Sequence, residues 1–265
     1  HVRLDEIGNR GVLTTPTVPM SVPVMFAEQV VCTPDAVALV CGGRSWTYRE
    51  LDEASNRLAH YLTGLGAGPG ACVALLFPRC AEAIVSIVAV LKAGAAYVPI
   101  DPMHPDARIQ FMFEDAQPVA VVTTPSLVGR VDGYGVTVVD VDDPRIAAQS
   151  NCALPAASAP DDIAYLIYTS GTTGVPKGVA VAQQNVTQFV ASLDRHLSPQ
   201  VWAQWHSYSF DVSVWEIWGA LLHGGRLVII PEVVASSPGE FHALLVAENV
   251  TVLSQTPSAV GMLSP

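Results

Sequence analysis

A loop rich in glycine and hydroxyl residues is the part of the sequence best suited to chemistry. Residues 168–178 read YTSGTTGVPKG and directly follow an apolar run that predicts a strand. Glycines let a backbone turn sharply and approach an anion, and successive N–H groups can then form an anion-binding concavity. Hydroxyl donors and a lysine complete the pattern. It predicts a polyphosphate site formed by Thr169, Ser170, Gly171, Thr172, Thr173, Gly174 and Lys177.

This loop differs from the Walker phosphate loop, G-x-x-x-x-G-K-[ST]. Counting from Gly171, Pro176 stands where the second glycine should be, and Gly178 rather than Ser or Thr follows Lys177. The plainer alternative is a flexible surface loop. The ordered succession of glycines, hydroxyls, proline and lysine favours the phosphate site.

An acidic residue among apolar and aromatic ones marks a second candidate. Residues 210–216 read FDVSVWE, and Asp211 directly precedes a predicted helix. In a dry pocket a carboxylate binds an ammonium group more strongly than in water, so Asp211 could recognise a ligand's charged nitrogen. As an equal alternative, Asp211 caps the helix. Trp215 lies one helical turn further on, so both side chains can face one cavity. Glu216 is expected to form local hydrogen bonds. His206 is expected to be an ordinary strand residue, and the alternative is that it lines the mouth of the pocket.

Strands alternate with helices along most of the chain, which predicts parallel sheets covered by helices. The expected fold class is α/β, with two layered, mostly parallel sheets flanked by helices. Thr47 and Glu50 form a capping-box pattern that predicts a helix start. Apolar runs predict strands at 201–208 and 250–256. We expect one layer on each side of residue 150, with an upstream connector at 1–22, a first subdomain at 23–142, a linker at 143–160 and a second subdomain at 161–265.

Four motifs resemble one enzyme family. Residues 168–178 closely resemble the phosphate-loop signature of the adenylate-forming enzymes, which include peptide-synthetase adenylation domains, acyl-CoA synthetases and firefly-type luciferases. Val175 replaces the usual Lys, a mild departure because Lys177 remains. WTYREL at 46–51, LKAGAAYVPIDP at 91–102 and the segment 210–216 resemble motifs of nonribosomal peptide synthetase adenylation domains. The chain thus resembles the N-terminal core of such a domain, incomplete at Pro265.

The resemblance implies that an amino acid is activated with ATP and Mg²⁺ to an aminoacyl-adenylate. It implies that the loop holds the β- and γ-phosphates and that Asp211 binds the substrate's amino group. Val212, Trp215 and Ser254 match further pocket positions. Asp, Val and Trp resemble the start of a serine-type pocket, which usually has His at the position of Ser254, and they indicate a small or polar substrate side chain. The adenine, ribose and catalytic-lysine residues would lie beyond Pro265, so no catalytic residue is assigned and the isolated chain is expected to be inactive.

The resemblance also implies partners within a longer polypeptide. The aminoacyl group would pass to the phosphopantetheine thiol of a carrier-protein domain, with a condensation domain nearby and a small accessory protein as an optional partner. Two alternatives stay open: an acyl- or aryl-CoA synthetase of the same superfamily, and a non-catalytic nucleotide-binding or docking module. A CoA synthetase has no ammonium group to hold and would not need Asp211.

Charge and cysteine usage limit other classes of function. Thirteen Lys and Arg residues against 24 Asp and Glu residues give a formal charge of −11, which argues against nucleic acid as a partner. Five cysteines without a C-x-x-C pair indicate neither a disulfide framework nor a zinc site, and a cytoplasmic location fits. No protein metal site is predicted. No apolar run reaches about 18 residues, so no membrane segment is expected.

Overall fold

The computed structural model describes residues 19–155, 158–171, 175–192 and 199–261, which form an α/β fold. The strands are β1 (Val37–Cys41), β2 (Arg44–Thr47), β3 (Cys72–Leu76), β4 (Ala96–Ile100), β5 (Ala120–Thr123), β6 (Thr137–Asp140), β7 (Ile163–Thr169), β8 (Lys177–Ala182), β9 (Val201–Gln204) and β10 (Arg226–Ile229). The α-helices are α1 (Val22–Cys32), α2 (Tyr48–Gly64), α3 (Ala81–Lys92), α4 (Asp106–Ala116), α5 (Pro144–Ala147), α6 (Gln183–Ala191), α7 (Val212–Leu221), α8 (Glu232–Ala235), α9 (Pro238–Ala247) and α10 (Pro257–Val260), and Pro125–Arg130 is a 3₁₀ helix.

The strands form two mostly parallel sheets. The smaller has the order β2-β1-β10-β9 and the larger the order β6-β5-β3-β4-β7-β8. Neighbours are parallel except in the hairpins β1–β2 and β7–β8. Helix α3 contacts strands of both sheets and is buried on nearly every side, as expected of an apolar interior helix. The predicted fold class is confirmed.

The two sheets do not divide the chain at residue 150. Strands β9 and β10 join the hairpin β1–β2, and the hairpin β7–β8 extends the sheet that contains β3 to β6. The expectation of one layer before this point and one after it is therefore wrong. Apolar periodicity identifies strands but not their neighbours, and parallel pairing joins strands that are distant in sequence. The subdomain boundaries themselves stay a prediction, and residues 1–18 of the predicted connector lie outside the described residues.

The predicted capping box begins α2. The Thr47 Oγ accepts from the backbone N–H of Glu50 at 3.1 Å, and the Glu50 carboxylate accepts from the N–H of Thr47 at 2.7 Å. These bonds satisfy donors that a helix start leaves free. The Tyr48 hydroxyl donates to the carbonyl of Gly225 at 2.8 Å and so links α2 to the turn before β10.

Two strands are shorter than the apolar pattern predicts. Strand β9 ends at Gln204 rather than at residue 208, because the Glu216 carboxylate accepts from the next two backbone N–H groups, each at 3.2 Å. These two N–H groups are therefore not available for hydrogen bonds to a neighbouring strand. Over 250–256, Val252 forms an isolated bridge with Trp202. The helix predicted near 185–196 is observed as α6, while residues 193–198 lie outside the described ranges.

All five cysteines lie in the described ranges and are free. In the part of the chain that the structure describes, no helix has the length and apolar character needed to cross a membrane.

Candidate active site

Asp211 stands at the N-cap position of α7 but does not cap it. Its side chain makes no hydrogen bond to the helix N-terminus, so the capping alternative is wrong for this carboxylate. The group is exposed, and within the described ranges it has neither a hydrogen-bond partner nor an ion-pair partner. Burial and the negative charge of Asp211 together raise the pKa of the nearby Tyr165 phenol. The carboxylate is therefore free to bind a cation.

Asp211 borders an open cavity of about 480 Å³ whose other walls are mainly apolar. A mainly apolar cavity with a few polar groups is the usual form of a small-molecule site. Asp211 is exposed at the edge of this cavity, so a cation–carboxylate contact there becomes stronger than in bulk solvent when the bound ligand excludes water from it. The lining residues are Tyr165, Val181, Asn185, Val186, Phe189, Asp211, Val212, Val214 and Trp215.

Aromatic packing holds Trp215 against this cavity. Its ring lies 5.0 Å from that of Trp202 in an edge-on arrangement and 5.6 Å from that of Phe189. The Nε1–H of Trp215 donates to the Oγ of Ser254 at 2.9 Å. Ser254 is not part of the cavity lining and reaches the site through the indole. The structure thus brings Asp211, Val212 and Trp215 directly together, with Ser254 behind them.

The predicted phosphate segment lies at the end of β7 and the start of β8. Thr169 and Lys177 are paired across this hairpin, and both side chains are exposed. A Cβ on Gly171 would clash with the carbonyl oxygen of Val175, so this close approach requires glycine. Thr172, Thr173 and Gly174 lie outside the described residues.

A second cavity connects the two predicted sites. It measures about 370 Å³ and is bordered by Thr169, Ser170 and Asp211. It shares Tyr165, Val181 and Asp211 with the first cavity. Asp211 therefore stands between an apolar cavity and the hydroxyls that begin the glycine-rich loop.

Glu216 supports the chain just before this site. It is fully buried, and its Oε2 accepts from the N–H groups of Trp205 and His206, while the Nδ1 of His206 lies 2.7 Å from Oε1. The expected role of Glu216 in local hydrogen bonding is confirmed. His206 lies beyond the end of β9 and packs against the ring of Phe210, so the expectation of a strand histidine is wrong.

Tyr165, Asn185 and Phe189 line the cavity but were not predicted from the sequence. Tyr165 lies an even number of strand positions before the predicted residue Thr169, and Asn185 and Phe189 are separated by one helical turn. Such spacing places side chains on one face of an element. It does not tell which face meets the cavity, because β7 and α6 form their walls only after the sheet has assembled.

The sequence profile of a family described as "AMP-binding enzyme" matches residues 26–264. The chain belongs to this family. It is 60% identical over 265 residues to the isonitrile lipopeptide synthase of Mycobacterium tuberculosis, with 99% of this chain and 10% of that protein covered. It is 47% identical over 251 residues to a dimodular nonribosomal peptide synthase of Bacillus subtilis, with 89% of this chain and 10% of that protein covered. The chain thus spans about a tenth of these relatives, and its resemblance to the peptide-synthetase branch is confirmed.

Solved structures agree with this assignment. A nonribosomal peptide synthetase, FmoA3, in an α-methyl-L-serine-AMP bound form superposes with a TM-score of 0.90 at 30% identity, over 99% of this chain and 30% of that one. Its AMPPNP-bound form gives a TM-score of 0.88 at 30% identity, over 98% of this chain and 28% of that one. The first of these structures contains bound α-methyl-L-serine-AMP, and the second contains bound AMPPNP.

Proposed function

We propose that this chain forms the N-terminal part of an adenylation domain, in which an amino acid is activated with ATP. One observation carries the proposal: the unpartnered carboxylate of Asp211 borders both the apolar cavity and the cavity that reaches Thr169 and Ser170. An amino acid held by its ammonium group at Asp211 would have its own carboxylate free to face the nucleotide. The ligands named for the FmoA3 structures, α-methyl-L-serine-AMP and AMPPNP, support an amino acid and a nucleotide as the ligand classes.

The reaction would be an in-line displacement at the α-phosphate. An oxygen of the substrate carboxylate forms a bond to phosphorus as the bond to pyrophosphate breaks. Thr169, Ser170 and Lys177 offer hydroxyl donors and a positive charge to the β- and γ-phosphates, and Thr172, Thr173 and Gly174 belong to the same proposed loop. Positioning and electrostatic stabilisation supply most of the catalysis in such phosphoryl chemistry.

Magnesium would arrive with the nucleotide. Within the described ranges, no group of three or more His, Cys, Asp or Glu side chains could hold a metal ion. The hydroxyls of Thr169 and Ser170 border the second cavity, and the exposed Lys177 is paired with Thr169 across the hairpin, so these donors fit a phosphate group. Mg²⁺ on that phosphate would neutralise charge as two anions approach each other. We assign no protein ligand to it.

The identity of the substrate side chain forms a further part of the proposal. Val212 and the indole of Trp215 border the cavity, and Ser254 orients the indole. We propose a small or polar amino acid. The aminoacyl group would then pass to a phosphopantetheine thiol on a carrier domain, with a condensation domain in the same cytoplasmic polypeptide and an accessory protein as an optional partner.

Amino-acid-dependent pyrophosphate exchange by the full-length protein tests the proposal. A panel of amino acids, fatty acids and aryl acids should show activity with an amino acid only, and Asp211→Ala should raise the KM for that amino acid by about 100-fold or more, as expected for loss of a charge-assisted contact. Asp142→Ala is a control on a distant surface turn and should leave KM unchanged. Activity with fatty or aryl acids would instead favour a CoA synthetase, and no exchange with any acid would favour a docking module.

A further inference from the structure

We propose that Asp101 is a positioning residue, which holds Asp211 in register with the substrate through the hydroxyl of Ser207. This inference rests on the proposed function, because it concerns the carboxylate that binds the substrate's ammonium group. Asp101 follows β4 and closes the motif at 91–102. Neither Asp101 nor Ser207 borders the two cavities, so their effect on the substrate must be indirect.

Three consecutive side chains fasten the segment that leads to Asp211. The Ser207 hydroxyl donates to Oδ2 of Asp101 at 2.6 Å. The Tyr208 hydroxyl donates to the carbonyl of Cys80 at 3.2 Å, and the Ser209 hydroxyl to the carbonyl of Pro99 at 3.0 Å. The segment is thus bonded at successive residues to the end of β4 and to the residue before α3.

The bond to Asp101 is the strongest candidate of the three for setting position. It is the shortest, and its acceptor is a carboxylate, which makes it charge-assisted. The other oxygen of Asp101 accepts from the N–H of Met103 at 2.9 Å, so that the carboxylate is itself held in place. Because both oxygens of the Asp101 carboxylate are hydrogen-bonded, the Ser207 hydroxyl that donates to it is held in one position.

Hydrogen bonds to backbone carbonyls on both sides of Asp211 connect it to this segment. The N–H of Phe210 donates to the carbonyl of Ser207 at 3.0 Å, and the Ser213 hydroxyl donates to the carbonyl of Phe210 at 2.7 Å. Asp211 lies between these bonds, and its own side chain has no partner in the described ranges. Its carboxylate therefore depends on the backbone around it for its position.

The test uses the full-length protein with Ser207→Ala, which removes the bond to Asp101 and leaves the turn after β4 intact. We expect the KM for the amino acid to rise about 10-fold while kcat and the KM for ATP change less than about twofold, because an ammonium contact made equally in the ground state and the transition state contributes to uniform binding. Asp101→Ala should show the same split. Ser207→Thr keeps the hydroxyl and should restore the wild-type KM.

Asp140→Ala is the matched control. Asp140 ends β6 of the same sheet, and its Oδ1 accepts from the N–H two residues later at 2.9 Å, as Asp101 does. It has no bond to the 207–209 segment among the described contacts. Asp140→Ala should therefore leave all three kinetic constants unchanged, which separates positioning from the general loss of a turn.

A second readout isolates the ammonium contact. The desamino analogue of the substrate, tested as an inhibitor of exchange, cannot bind through an ammonium group. Ser207→Ala should leave its inhibition constant unchanged while the KM for the amino acid rises. Equal weakening of both would show a merely structural role and overturn the inference, as would an unchanged KM. If Asp211→Ala also leaves the KM unchanged, the proposed function fails; if only Ser207→Ala does, the inference alone fails.

Discussion

Gly219 of α7 provides a sharp test of how the substrate cavity is supported. A Cβ at this position would lie 2.6 Å from Cη2 and 2.8 Å from Cζ3 of Trp202. That indole is fully buried, and the ring of Trp215 lies 5.0 Å from it. A shift of the Trp202 ring toward Trp215 would therefore move a residue that lines the cavity.

The expected cost of Gly219→Ala follows from two opposing effects. Overpacking of a well-filled core costs about 1–3 kcal/mol, and the contact with several ring atoms places this case near the upper end. Alanine in place of glycine inside a helix stabilises by about 1 kcal/mol. The net loss in free energy of unfolding is then about 2 kcal/mol, or roughly 4–8 °C in Tm for a domain of this size.

The assay compares Gly219→Ala with Gly239→Ala in the full-length protein. Both glycines are helical, but a Cβ on Gly239 meets nothing within 4 Å. Gly239→Ala should be neutral or slightly stabilising by thermal unfolding, and Gly219→Ala should be destabilised and show a raised KM for the amino acid. If Gly219→Ala proved as stable as the wild type, with unchanged KM, the packing argument from Trp202 to Trp215 would be refuted.

Two other substitutions give distinct outcomes. Ser254→Ala removes the acceptor of the Trp215 Nε1–H, and loss of one hydrogen bond worth about 1 kcal/mol should raise the KM for the amino acid about fivefold in pyrophosphate exchange; an unchanged KM would separate Ser254 from the site. Burial lowers the pKa of Lys92 to about 8, although its contact with Asp52 at 2.7 Å opposes the shift. The unfolded state therefore binds more protons between pH 8 and the ordinary lysine pKa, so this group should make stability rise with pH across that window and should add no pH dependence below it. Denaturant titrations should show this slope reduced in Lys92→Met, and an equal slope in both proteins would contradict the burial argument.

Local features of the fold were predictable because their causes are local. Thr47 and Glu50 satisfy each other's backbone N–H groups within one turn, so a short pattern specifies the start of α2. Strand neighbours were not predictable in this way. Nothing in the β1 sequence indicates that it pairs with β10, since that choice depends on how the whole core packs.

The candidate site was likewise predictable from the sequence only in part. Asp211 was identifiable as an acid beside apolar residues, but its sequence position allowed both a helix cap and a ligand contact. Only the folded arrangement shows a side chain without a cap bond at the border of two cavities. Tyr165 borders the cavity and Asp101 bonds Ser207 only because elements distant in the chain come together, so no local sequence pattern predicts these contacts.

The interleaved sheets limit how this domain can be re-engineered. Strand β10 lies between β1 and β9, and β7 lies between β4 and β8. A chimera joined near residue 150 would have to match a foreign C-terminal half to both β1 and β4, across apolar seams in two sheets at once. Exchanging a smaller block around 201–229 interrupts one strand pairing between β1 and β10, and such a block still carries Asp211, Val212 and Trp215. The block must also match the bridge from Trp202 to Val252 and the bond from Trp215 to Ser254. Swaps intended to change substrate choice should therefore respect the strand order rather than the midpoint of the chain.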